Sequence, residues 1–404
     1  MKKILRGSLL AILVLVLEVS CISNERVDEN AKRTVLVYMA GELMKENVAN
    51  INISWMQQSL GNGMENAVLL AFVDKPGKKP CLIRIRKVSR DGDTGLDTLK
   101  IYNELNSADP TVLRQIIDEV KHDWPCESYG LVLWSHGTGW VPSSQLKNTE
   151  LGWSAPRRYE GNGEPQGVEF DFSGNTKAFG VDKVDGKNVW IDIDDLVEAL
   201  DDDGFDFILF DACYMGNVEV LYALRNKASY IISSSIEIWE DGFPYFNITR
   251  DLLNSHLVKV CESFFEYYSK DYSVPMAGIS LVKTSELDSL ARCFRKIIAH
   301  NDTIPQTDIS GIQSMDWFNN HLFFDMEDFV DKLNSEYFNE FRLQLNACVM
   351  YKNSTPFIFP NDPVKKRKMD KYCGMSIYIP LVKYDSWGLN DEYRKTEWSI
   401  DTGY

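Results

Sequence analysis

YGLVLWSHG, residues 129–137, and FDFILFDAC, residues 205–213, are two short apolar runs, each ending in a small residue beside a reactive one. Runs of this length, rich in Leu, Val, Ile and Phe and closed by turn-forming residues, read as strands buried on both faces. Similar runs precede and follow them: TVLVYMAG from Thr34, NAVLLAFVD from Asn66 to Asp74, and SYIISSS from Ser229. Between the runs lie segments with helical periodicity. VLRQIIDEVKHDW starts after Ser107-Ala108-Asp109-Pro110 and sets Leu113, Ile116, Ile117 and Val120 on one face, and IDIDDLVEAL from Ile191 is likewise amphipathic. Strands alternating with helices predict an α/β fold, with a mostly parallel sheet covered on both faces. CLIRIRKV, residues 81–88, alternates apolar and charged residues and reads as a half-exposed or edge strand.

In an open parallel sheet the loops at the carboxyl ends of the strands converge on one edge, where ligands bind. If the two quoted strands are neighbours, His136 and Cys213 share a cleft. A cysteine nucleophile, an imidazole to protonate the leaving amine, and N–H donors for the oxyanion are the parts that amide hydrolysis needs. Cys213 supplies the sulfur and His136 the imidazole. Gly137, lacking a side chain, lets its backbone N–H approach the oxyanion together with that of Cys213.

The rest of the chain is consistent with an exported protein of more than one ordinary domain. At 404 residues with 44% hydrophobic and 12% aromatic content, it can bury a sizeable core. A formal charge of -16 without a clustered basic face excludes a nucleic-acid partner. Lys2, Lys3 and Arg6 precede an apolar run from Leu9 to Leu17, too short to span a bilayer, and then Glu18-Val19-Ser20-Cys21. Residues 1–21 therefore read as a signal peptide, and the small residue before Cys21 resembles a bacterial lipobox. Cys21 is the expected lipidation site, giving membrane attachment to the cell envelope. Ordinary cleavage and secretion is the alternative. Residues 22–32 read as a tether. The other seven cysteines show neither zinc-ligand nor disulfide spacing.

The two blocks LVLWSHGTGW and FILFDACYMG resemble the signature blocks of clostripain-like cysteine peptidases, a branch of the group with the caspase, gingipain and legumain fold. TVLVYMAG, FPY at 243–245, AGISLV from Ala277, GMSIYIP from Gly374, Tyr393 and Trp398 are also similar to family positions. The resemblance implies a caspase-like three-layer α/β/α sandwich over residues 33–245, with a smaller α/β unit over 246–404. It implies a Cys213–His136 dyad and an acyl-enzyme, and polypeptide substrates cut after Arg or Lys. Asp211, two residues before the nucleophile, matches the family's position for holding the substrate cation. Glu237 adds negative potential there, and Ser233–Ser235 offers a strand edge to an extended substrate, with Ser235 as a contact. The 141–180 stretch reads as a long surface loop, and the resemblance makes Lys147, Arg157 and Arg158 in it candidates for self-cleavage. No cofactor is expected. Calcium is considered because clostripain uses it, but VDKVDGKNVWIDIDD, residues 181–195, lacks the spacing of a calcium loop and reads as a turn and helix start. The rival to an enzyme is a surface lipoprotein that binds peptides in a caspase-like cleft without cutting them.

Overall fold

The computed structural model describes residues 31–42, 44, 46–60, 66–88, 95–142, 179–185, 187–301, 308–318 and 320–404. Cys21, Lys147, Arg157 and Arg158 lie outside the described residues. Among the described residues, no helix is long and apolar enough to cross a membrane.

Five parallel strands form the centre: β1 (Arg33–Ala40), β2 (Ala67–Asp74), β5 (Ser128–Trp134), β8 (Phe205–Asp211) and β9 (Ala228–Ser233). Their spatial order is β9-β8-β5-β1-β2. Beyond the first residue or two of each strand they are almost wholly buried, as their unbroken apolar runs require. Antiparallel strands finish both sides. β3 (Cys81–Ile85) and β4 (Leu96–Ile101) lie beyond β2, and β10 (Gly278–Lys283) and β12 (Val349–Ser354) lie beyond β9. The sequence assigned CLIRIRKV a half-exposed or edge place. It lies one strand in from the edge, which β4 occupies with its exposed side chains.

β6 (Phe179–Val184) and β7 (Lys187–Ile191) form a separate hairpin, and β11 (Phe324–Asp325) pairs with Ser376–Ile377. Helices α1 (Glu46–Ser59), α5 (Tyr245–Leu253) and α6 (Leu257–Glu266) pack together as one layer. Helices α2 (Pro110–Asp123), α3 (Ile193–Ala199), α4 (Val218–Ala223), α7 (Leu287–Ala299) and α11 (Glu397–Thr402) pack as another. The result is the three-layer α/β sandwich. The boundary drawn near Tyr245 falls inside this sandwich: α5 packs on α1, and β10 and β12 extend the same sheet past β9. The buried residues of both halves form one continuous core, because strand pairing leaves no apolar face to seal between them.

Packing between β5 and β8 fixes the position of everything at the carboxyl edge. A Cβ at Gly130 would collide with the ring of Phe207 on the neighbouring strand, so the glycine is what lets β5 and β8 sit at this register. The register pairs Trp134 with Asp211. Ser135 then clips the edge, its N–H donating to Asp211 O (3.3 Å) and its hydroxyl to Ala40 O (2.6 Å).

Several carboxyl groups are buried in this sandwich, and burial pushes them up: Asp74 and Glu237 to about 7, and Glu219 to about 8. Each binds more protons in the folded chain than in the unfolded one, whose carboxyls ionise near 4, so stability falls as pH rises through the folded values. His136, held neutral by burial and lowered to about 4, acts in the opposite sense only below about 6.5. Between pH 6.5 and 8 the carboxyls dominate, and unfolding free energy is expected to drop by roughly 1–3 kcal/mol. Denaturant titrations at the two pH values check this, and a rise in stability would contradict it.

Candidate active site

His136 and Cys213 follow the carboxyl ends of adjacent parallel strands, two residues beyond the paired Trp134 and Asp211. The connecting loops are in contact. A Cβ on Gly137 would lie 2.5 Å from the carbonyl of Cys213 and 2.9 Å from the Cβ of Ala212, so only glycine admits this approach. Strand β6 crosses over the same edge, bridging Gly137 through Phe179 and Gly41 through Val181. Gly180 N donates to His136 O (3.3 Å), and the imidazole faces Trp190 at 6.3 Å between ring centres.

The thiol of Cys213 donates to Ile238 O at 3.8 Å. Burial pushes it well above the usual thiol range, and the charge of Glu237 adds to that, with a smaller contribution from Asp211. With the imidazole held neutral as well, the pair rests as thiol and imidazole and not as an ion pair. Tyr214, next in the chain, takes φ 58°, a conformation sparsely populated by residues with side chains. It is held by its N–H to Ile236 O (3.1 Å), by its hydroxyl to Glu237 Oε1 (2.8 Å), and by stacking on Phe323.

Glu237, expected to add negative potential at the substrate-cation pocket, is a buried group bonded to the residue after the nucleophile. It also accepts from Trp317 Nε1 (2.7 Å). Asp211 is likewise buried, at 3% exposure, beneath the turn at Gly242. It accepts from Phe243 N (3.1 Å) and the Tyr245 hydroxyl (2.7 Å), while Oδ1 has no hydrogen-bond partner. A side chain on Gly242, at φ 70°, would meet Asp211 Oδ2 at 2.6 Å, and Tyr268 donates to the Gly242 carbonyl to hold the turn down. Burial pushes Asp211 up to about 6, against the two donors that lower it.

Ser233–Ser235 does not present the open strand edge expected of it. Ser233 pairs with Ser280 of β10, Ser234 O accepts from Gly216 N (2.8 Å), and Ser235 Oγ donates to Gly216 O (2.9 Å). The late strand β10 fills the edge that the sequence left open. The sequence also missed the partners of the site: Ile238, Tyr245, Trp190 and Trp317. FPY at 243–245 was a visible signal, but nothing in it linked Tyr245 to Asp211. The acidic 181–195 stretch is the β6–β7 hairpin followed by α3, with Asp192 at the helix N-cap position. Among the described residues, no group of three or more His, Cys, Asp or Glu side chains is arranged to hold a metal ion.

Glu237→Gln keeps an acceptor for Tyr214 and Trp317 but removes the charge. Alkylation of Cys213 by iodoacetamide above pH 8 is then expected to speed up by roughly 3-fold or more, because the thiol ionises more readily. Peptide mapping by mass spectrometry reads the rate at this one cysteine. An unchanged rate would remove Glu237 from the electrostatics of the thiol.

Comparison with known proteins agrees with this architecture. The clostripain family model matches residues 37–159 and 166–373. Clostripain of Hathewaya histolytica is 24% identical over 250 residues, 56% of this chain and 43% of that protein, so the match spans less than half of its length. The inactive zymogen of a C11 protease from Parabacteroides distasonis superposes with a TM-score of 0.76 at 33% identity, covering 92% of this chain and 98% of that one. A secreted C11 cysteine protease from Bacteroides thetaiotaomicron, solved with an irreversible peptide inhibitor, gives 0.74 at 30% identity, covering 92% and 99%. The chain belongs to the clostripain family of cysteine proteases.

Proposed function

We propose that the chain is an exported cysteine endopeptidase that cuts polypeptides after Arg or Lys, with Cys213 as nucleophile and His136 as the proton donor to the leaving amine. The observation that carries this reading is the meeting of the His136 and Cys213 loops at the carboxyl edge of β5 and β8, with Gly137 against the Cys213 carbonyl. Cys213 attacks the scissile carbonyl and passes its proton towards the imidazole. Backbone N–H groups at Gly137 and Cys213 meet the oxyanion, His136 protonates the departing amine, and water then hydrolyses the thioester.

The basic preference rests on Asp211. Its Oδ1 lacks a partner, which a guanidinium would supply, and a desolvated pair of this kind favours the matching substrate by roughly 2–5 kcal/mol. Reaching it requires the turn at Gly242 to lift, since the carboxylate is sealed in the state described here. A half-buried, protonated thiol and a covered carboxylate are features of a resting enzyme. In this reading, self-cleavage in the 141–180 stretch, at Lys147, Arg157 or Arg158, is the event that opens it. Acylation of Cys21 would tether the protein to the envelope.

Fluorogenic peptides ending in Arg, Lys, Asp and Leu, offered to the chain without its first 21 residues, test the reading. Turnover of the Arg and Lys peptides alone is expected, abolished in Cys213→Ala and lowered at least about 30-fold in Asp211→Asn, the lower end of the roughly 2–5 kcal/mol above. Cleavage after another residue would discard the role of Asp211. Silence throughout, even after limited trypsin nicking, would leave the non-catalytic peptide-binding protein.

A further inference from the structure

A second polar cavity, lined by neither His136 nor Cys213, lies on the helical layer that carries α3, α4 and α11. It holds 170 Å³, below the size of ordinary small-molecule pockets and suited to the end of a single side chain. The chain reaches it from three directions: Trp140 and Pro142 after β5, Asp192 and Asp194 at the start of α3, and Glu392 to Glu397 just before and within α11. Its floor is Glu219 of α4.

Glu219 is 2% exposed. Its Oε1 accepts from Tyr378 N (2.9 Å), while Oε2, also buried, has no partner. An unmatched carboxylate oxygen in such a place costs about 1–3 kcal/mol, more if charged, unless something enters to meet it. The surroundings indicate the sign of what enters. Five carboxylates line the cavity against one ammonium, and that ammonium, Lys395, is already engaged by Glu392 (2.8 Å). Glu397 is engaged by Arg225. Trp140 forms part of the wall, packed edge-on against Tyr378 and Tyr393 (4.7 and 5.1 Å).

We propose that this cavity is a second cation site, in which Glu219 receives the guanidinium or ammonium end of an Arg or Lys side chain of a bound polypeptide. The site is independent of the Asp211 carboxylate, which lies at the end of β8 beneath Gly242. Burial keeps Glu219 protonated up to about pH 8, and its charge reaches Tyr378, Tyr393 and Tyr404 of the C-terminal elements. The carboxylates of Asp192, Asp194, Glu392 and Glu397 and the Lys395 ammonium complete its charged surroundings. Because burial resists ionisation of Glu219, an entering cation must displace its proton, and binding tightens as pH rises through 8.

Calorimetry with n-propylguanidinium tests this on the Asp211→Asn chain, where the other carboxylate is neutralised. Millimolar binding is expected, tightening roughly tenfold between pH 7 and 9 as Glu219 ionises. Adding Glu219→Gln should weaken it at least tenfold at pH 9. Equal affinity in the two variants would overturn the site, as would affinity independent of pH, or no binding at about 10 mM ligand, which would leave only water in the cavity. If the double variant does not fold, the pH dependence of the Asp211→Asn chain decides alone.

Discussion

The parallel pairing of β5 with β8 is the constraint on which the rest depends. It is a main-chain register, Trp134 opposite Asp211, made possible by the missing side chain at Gly130 where the Phe207 ring packs. Everything at the carboxyl edge follows from that alignment. His136 and Cys213 leave their strands at the same level, Gly137 passes against the Cys213 carbonyl, and Ser135 ties the edge to β1. A shift of one residue in either strand would turn its side chains to the opposite face and separate the two groups.

Burial sets the chemistry of what that register assembles. It lowers the imidazole, raises the thiol, and raises the carboxyls of Asp211 and Glu237. The site thus sets a neutral thiol and imidazole beside two carboxyls that burial holds back from ionising, with Asp211 under Gly242 and Tyr214 in a strained turn bonded to Glu237. Such a site holds its parts in place but keeps the nucleophile quiet. Exposure of the edge to solvent, or loss of the charge on Glu237, moves the thiol towards ionisation, which links reactivity to a conformational step at 236–245.

Much of this was legible in the residues. Long buried runs such as TVLVYM and FDFILF can only be central strands, and Pro110 with Asp109 marks the start of α2 where it is found. The pairing of His136 with Cys213 was readable because both follow such strands. Less legible were features made by distant chain. β4 carries mostly exposed side chains and has no apolar rhythm to announce it. The edge of β9 looked free because its partner β10 lies some fifty residues on, and Asp211 looked like an open pocket wall because its cover, Phe243 and Tyr245, is more than thirty residues away. GMSIYIP has the apolar run of a strand, yet only Ser376 and Ile377 pair with β11, and on the other side Ser376 meets only the turn at Gly216 and Asn217. Apolar pattern records burial, and it does not record which neighbour does the burying.

The central claim is that His136 and Cys213 sit together, and imidazole NMR of the five histidines tests it most directly. Converting Cys213 to its methyl disulfide should shift the ring resonances of His136 and leave those of His122, His256, His300 and His321 in place. A His136 ring unmoved by that modification, or titrating near its ordinary value of about 6.5, would contradict the shared buried site.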